Sequence, residues 1–363
     1  MQNYYSFSAL SGLQARQATF AVNLPLGLVG KLFSAEDISL PADQRSQRII
    51  NQARVNQIAK YILDNPNSYV LPPLVAYVRT GEIKFIANKD YPMLGELQIS
   101  LSADLALFDG QHRCSAIQLA VAQKPFLADE TITVYILSNL GVSAAQQIFA
   151  DINMNAVKPA QSIKLLYNQR DQVTAFTKSL IKEIPLFEKY TDLERTNLPA
   201  SSDKLFTFSG LYQANQILWK GLGDDPSKAI IISKFWEVVR PCIDEWEQLM
   251  DLAVHSELLR NQSLTAHSVT WMALAEVGLQ LIKRRPNNYE WTFLLERLDM
   301  NWSRQNPLWQ GRVILGGKIC KTRKNILLMA NAILQHNRIE LDKTQQALED
   351  EFLKTMQPDS NAA

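Results

Sequence analysis

Leu105-Ala106-Leu107-Phe108-Asp109-Gly110-Gln111-His112-Arg113-Cys114-Ser115-Ala116-Ile117-Gln118-Leu119-Ala120 is the stretch that decides the fold. A strand-sized apolar run, Leu105 to Phe108, stops at an acid and a glycine, and a helix-like segment starts at once. Strand–glycine turn–helix junctions bring free backbone N–H groups and the positive end of a helix dipole to one point, which suits an anion. His112 and Arg113 fall in the first helical turn, where a cation faces the wrong end of the dipole at a cost of about 0.3–1 kcal/mol each. A negative partner is therefore expected, and a phosphate fits.

Each residue of the junction has a role to offer. Asp109 could cap the helix by accepting orphan N–H groups, hold a metal, or polarise a water. Gly110 permits positive φ or close approach of a ligand to the backbone. Gln111 and His112 supply donors and acceptors, and Arg113 offers a bidentate fork. A helix cap braced by an Arg–Asp ion pair explains the same residues without any ligand, and both readings stay open.

Working outward, residues 1–165 mix strand-sized runs with short helices. Thr19–Asn23, Leu74–Arg79, Ile83–Ile86, Glu96–Ser100 and Thr131–Leu137 are rich in β-branched or aromatic residues. Thr80-Gly81-Glu82 reads as a hairpin turn joining the second run to the third. Gln47 to Leu63 carries Ile50, Val55, Ile58, Ala59 and Ile62 at helical spacing, and a third helix is expected over Ser143–Asn153. Beyond residue 165 the strand pattern nearly vanishes. Lys204–Leu218, Lys228–Arg240, Trp246–Leu259, Ala266–Arg284 and Arg323–His336 read as helices, and all seven tryptophans lie in this half, as packing residues rather than ligand contacts. From Asp342 the chain turns acidic and polar. Residues 346–363 are expected to form a frayed tail.

Two further polar regions could carry chemistry. The loop Asp151-Ile152-Asn153-Met154-Asn155-Ala156-Val157-Lys158-Pro159 has the opening spacing of a calcium loop, but Ala156 and Ser162 stand where glycine and glutamate are needed. Asn153 and Lys158 are instead assigned to a phosphate, with helix capping and a proline stop as the alternative. The second region, Arg304 to Lys324, holds Arg304, Arg312, Lys318, Lys321, Arg323 and Lys324 without one acid. Its Gly311…Gly316-Gly317-Lys318 spacing misses a phosphate loop by one residue, and Ile319 replaces the required hydroxyl. Arg312, Lys318, Lys321, Arg323 and Lys324 are assigned to DNA, together with Arg45, Arg48 and Arg54 near the first helix. A solvated basic face is the plainer alternative.

The bulk numbers set limits. A net charge of +1 over 363 residues means that any nucleic-acid partner meets a local patch, not a global field. Three scattered cysteines give no disulfide framework and no zinc spacing, which fits a reducing compartment. Residues 1–20 lack a signal-peptide pattern, no apolar run reaches bilayer length, and a cytoplasmic location is expected. No GxSxG, HExxH, GxGxxG or SxxK motif occurs, and no resident metal is expected.

With these residues in view, the chain resembles the DGQHR-domain family of bacterial DNA phosphorothioation (DNA sulfur modification) systems. The likeness rests on Phe108–Arg113 with Ala116 and Ala120, then Gln147-x-Phe149-x-Asp151-x-Asn153, Lys158-Pro159, Leu166 and Arg170-Asp171. Tyr5–Gly12 and the helix bearing Gln47, Arg48, Asn51, Arg54, Ile58-Ala59 and Tyr61–Asp64 extend it. The resemblance implies a transcriptional repressor that binds double-stranded promoter DNA and restrains the modification genes. Gly110, Arg113 and Ala116 also resemble the Gly-x-x-Arg-x-x-Ala element of the ParB/sulfiredoxin superfamily, which touches nucleotide phosphates at a strand-to-helix junction.

The expectation is thus an α+β protein. Residues 1–165 form a ParB/sulfiredoxin-like α/β domain, residues 166–345 a mostly α-helical domain, and 346–363 the tail. Asp109, Gly110, Gln111, His112, Arg113, Asn153 and Lys158 would bind phosphate or nucleotide. The runner-up is an enzyme, a nucleotide hydrolase or DNA-nicking activity using ATP or another nucleotide with Mg2+, with Asp109, His112 and Arg113 as catalytic residues. A third reading is an adaptor that presents a tryptophan-rich surface to other phosphorothioation-system proteins. Self-association into a homo-oligomer is expected and a membrane partner is not.

Overall fold

The computed structural model describes residues 3–33, 50–138, 144, 147–148, 150–152, 159–284, 298 and 300–356. The protein is α+β and divides into two compact units, residues 1–157 and 158–363.

The first unit is built on a mixed seven-stranded sheet. Its strands are β1 (Tyr4–Gln14), β2 (Gln17–Pro25), β3 (Leu74–Thr80), β4 (Ile83–Ala87), β5 (Leu94–Ser100), β6 (Asp104–Asp109) and β7 (Thr131–Leu137), in the order β4-β5-β1-β2-β7-β3-β6. Only the β3–β7 pair is parallel. All five expected strand runs are strands. The expected hairpin at Thr80-Gly81-Glu82 does not form, because β3 pairs with β6 and β7 while β4 pairs with β5. Alternation showed that both runs were strands but carried no information about partners.

Alternation also sorts the residues onto the two sheet faces. Leu74, Ala76 and Val78 of β3, Leu105 and Leu107 of β6, and Val134 and Ile136 of β7 share one core with Leu26 and Val29 of α1 (Leu26–Leu32). Cys114, Ile117 and Ala120 of α3 (Gln111–Gln123) complete it. Before α3 in sequence comes α2 (Gln52–Asp64), whose Val55 and Ala59 pack on Ala116. The expected helix from Gln47 starts later than its apolar pattern suggested, because Asn51 caps it: its Oδ1 accepts from the Arg54 N–H at 3.2 Å. On the other sheet face Tyr77 and Phe108 stack at 4.4 Å beside Ala106 and Leu137, with Ile148 and Ile152 against them.

The second unit is helical. Arg323–His336 is a helix over its whole expected span, and Ser268–Arg284 falls within its expected one. The expected helix Trp246–Leu259 is two helices, Asp244–Met250 and Ser256–Gln262, separated where Leu252 takes φ +60°. Trp236, Trp246, Trp271, Trp302 and Trp309 are buried in the core of this unit, Trp219 is half-buried against it, and Trp291 lies outside the described residues. Within the expected frayed tail, residues 346–356 are corrected: Lys343–Met356 is a helix with Gln345, Glu349 and Phe352 buried, and 357–363 lie outside the described residues. No helix among the described residues is long and apolar enough to cross a membrane.

Candidate functional site

Gly110 sets the geometry of the junction. It occupies the N-cap position of α3 with φ +106°, a left-handed conformation that reverses the chain from β6 into the helix. A Cβ built there would lie 2.4 Å from Leu74 Cδ2, so the position is closed sterically as well. No side chain caps the α3 N-terminus, and Asp109 does not play that part.

Asp109 is instead bound to Arg113. Arg113 Nη2 donates to Asp109 Oδ2 at 2.6 Å and Nη1 donates to the Pro72 carbonyl at 3.0 Å. The Arg113 side chain is 13% exposed and that of Asp109 48%. Of the two readings open for Arg113, the ion pair is the one formed, and the fork expected to grip a phosphate already holds a carboxylate and a carbonyl. Asp109 supplies the negative partner that the first helical turn required. His112 departs from expectation in a second way. The Asn51 N–H donates to His112 Nε2 at 2.9 Å. The bond ties the start of α2 to the start of α3. Gln111 is buried, with a long 3.5 Å bond from Nε2 to the Leu107 carbonyl.

These residues open onto a cleft of about 640 Å³. Its lining combines the polar junction from Asp109 to Arg113 with Ile58, Tyr61, Leu71 and Pro72, which are apolar or aromatic. Arg54 also lines the cleft, although its sequence neighbourhood suggested a separate DNA-binding surface. Its guanidinium has no carboxylate partner among the described residues. Among the described residues Arg54, not Arg113, is therefore the cation of this cleft without a carboxylate partner, and the uncapped N–H groups of α3 add partial positive charge. Sequence reasoning missed Pro72, Tyr61 and Leu71, which reach the site only through the fold. Asn51 carried a local signal as an N-cap asparagine before a helical run.

Other expected site residues are placed elsewhere or not placed. Arg45, Arg48, Asn153 and Lys158 lie outside the described residues. The assignment of Arg312 to DNA is corrected: it is 6% exposed and forms a two-bond pair with Glu349, 1% exposed. Arg323 is exposed and pairs with Glu276, and Lys324 pairs with Glu351 at 2.6 Å. Lys318 and Lys321 are exposed, with no carboxylate partner among the described residues. The basic run thus draws its acids from distant segments, which no local reading of charge could show. Among the described residues no three His, Cys, Asp or Glu side chains are grouped to hold a metal.

Cys114 follows the junction but faces the core. It is 6% exposed, and burial pushes its thiol up to about 11. At pH 8 its thiolate fraction is negligible, and it appears only as the pH approaches that value. A thiol reagent such as Ellman's is expected to modify the half-exposed Cys242 and Cys320 in the native protein, and Cys114 only after unfolding. Rapid native labelling of Cys114, read by peptide mass, would contradict this.

No curated protein and no solved structure gives a significant match. A family model described as DndB, DNA-sulfur modification-associated, matches residues 7–340, nearly the whole length. The chain therefore belongs to the DndB family, which links it to DNA sulfur modification.

Proposed function

We propose that this protein is a DNA-binding transcriptional repressor of the phosphorothioate modification genes, and that the Asp109–Arg113 cleft binds a nucleotide. The family supplies the biological process. The observation that carries the nucleotide reading is the mixed lining of this cleft. Arg54, which has no carboxylate partner among the described residues, and the uncapped N-terminus of α3 offer an anionic group a place, while Ile58, Tyr61, Leu71 and Pro72 offer apolar and aromatic contacts for a base. Its volume lies within the usual range for small-molecule sites, about 300–1,000 Å³. The junction of Gly110, Arg113 and Ala116 supports a ParB/sulfiredoxin-like relationship for this unit, with Arg113 bracing the turn instead of gripping phosphate. Promoter DNA would meet the exposed Lys318, Lys321, Arg323 and Lys324 of the second unit, and self-association would let two copies share an operator.

One observation favours the enzymatic alternative. Asp109 is half exposed in the cleft, and its Oδ1 has no partner among the described residues. Beside bound phosphates it could accept from a nucleotide hydroxyl, orient a water or contact nucleotide-bound Mg2+. Hydrolysis of ATP lost in Asp109→Asn but kept in Asp151→Asn would favour this reading.

The decisive experiment is binding of wild type and Arg54→Ala to a labelled promoter duplex and, separately, to a fluorescent ATP analogue. Duplex affinity should fall steeply between about 50 and 200 mM salt, because each phosphate contact releases counterions. Arg54→Ala should weaken the ATP analogue about tenfold, the loss of one charge-assisted contact. Salt-independent duplex binding would overturn the repressor reading, and unchanged analogue affinity the nucleotide reading.

A further inference from the structure

The chain segment from Val313 to Cys320 is a short hairpin whose two faces differ. Its register pairs Ile314 with Ile319 and Leu315 with Lys318, so each pair shares a face. Ile314 is buried and Ile319 packs against the same core, which fixes the foot of the hairpin. Leu315 is 45% exposed and Lys318 is exposed, so the opposite face presents one apolar side chain beside one cation. The turn between them is Gly316-Gly317, with φ +55° and +75°, as a two-residue turn matched to strand twist requires. A Cβ built on either glycine would meet nothing within 4 Å, so the tip stands clear of its surroundings.

Cations surround this tip. Arg304 Nη2 reaches the Gly317 carbonyl at 3.5 Å, and Lys321 follows the second strand with Nζ 3.4 Å from Ser268 Oγ. Among the described residues neither of them nor Lys318 has a carboxylate partner, although nearby Arg312, Arg323 and Lys324 all do. Cations without a carboxylate partner among the described residues, placed around a bare turn, call for a polyanion that the turn can enter. The foot is rigid, since Arg312 is locked to Glu349 and Trp309 stacks on Trp302 at 5.6 Å.

We propose that this hairpin enters the minor groove of duplex DNA, with Leu315 wedged at a base step and Lys318 and Lys321 on the flanking phosphates. The inference rests on the DNA-binding reading above and adds the element, the groove and the wedge. A turn with no side chain at its two central residues is narrow enough for a groove about 6 Å wide. An apolar side chain beside cations is the chemistry by which minor-groove proteins unstack and kink a step. The wide major groove would be read by hydrogen-bonding side chains, and the two turn residues, Gly316 and Gly317, carry none.

The test uses the full-length protein and a promoter duplex carrying 2-aminopurine at successive steps. Wild type, Leu315→Ala, Lys318→Ala and a control, Lys182→Ala at an exposed position on the helix Gln172–Glu183, are compared by anisotropy across a salt series, with netropsin as minor-groove competitor. Wild type should brighten one 2-aminopurine position on binding and be displaced by netropsin. Leu315→Ala should lose the brightening and about tenfold in affinity, and Lys318→Ala should lower the salt slope by about one. If wild type binds in a salt-dependent way but Leu315→Ala and netropsin change nothing, this inference is overturned and the repressor reading stands. If wild type binds no duplex, both fall. Unchanged melting curves would show that the variants remain folded, which both exposed positions lead us to expect.

Discussion

Replacing Arg312 with alanine is expected to destabilise the second unit by about 3–5 kcal/mol, the usual cost of stranding one member of a buried ion pair. The guanidinium holds Glu349 through two bonds, one of them Nη1 to Oε2 at 2.8 Å, and also donates to the Leu328 carbonyl at 3.3 Å. Its other face lies over the Phe352 ring at 4.4 Å. Alanine would leave the Glu349 carboxylate in the core with only Asn331 Nδ2, 3.5 Å away, to solvate it. The helix Lys343–Met356, which carries both Glu349 and Phe352, should lose its anchor first. Urea unfolding followed by tryptophan fluorescence measures the change. The double variant Arg312→Met with Glu349→Leu should recover most of the loss, because it removes both charges and keeps the volume. A single-variant loss below about 1 kcal/mol would place the pair in solvent, contrary to its burial.

Gly110→Ala should cost about 2–5 kcal/mol, the sum of left-handed backbone strain and overpacking. The φ of +106° is unfavourable for any residue with a Cβ, and that Cβ would press on Leu74, which is fully buried. Relief would require the end of β6 to move away from β3, which would pull Asp109 from Arg113. Binding of the ATP analogue should therefore be lost even where the variant remains folded. Gly223→Ala serves as reference: its φ is +63° but nothing lies within 4 Å, so only the backbone term remains. Equal destabilisation of the two variants would show that Leu74 yields and that the junction is looser than its packing implies.

The junction itself was legible because strand, glycine and helix signals are local. Cys114 as a buried residue and Trp236, Trp246 and Trp271 as core followed from their spacing on helices. What escaped depended on partners distant in sequence. The electrostatic oddity of Arg113 has an ordinary resolution, an acid one turn away, while His112 accepts from Asn51, across a helix pair. The basic run looked unneutralised since Glu276, Glu349 and Glu351 lie on other segments. The same blindness made Lys343–Met356 look solvated: Glu349 is a core residue only because Arg312 meets it there. Strand partners failed for the same reason, with β4 crossing to β5 and leaving β3 to β6 and β7.

The position of β1 constrains how the first unit can be made. β1 and β2 form a hairpin at once, but β1 must also receive β5, and β2 must receive β7. As the chain emerges during synthesis, both sides of that hairpin stay open until Leu94–Ser100 and then Thr131–Leu137 arrive. Open strand edges pair with other chains. Truncations that end before Leu137 should therefore aggregate, whereas a fragment reaching past it has every strand of the sheet.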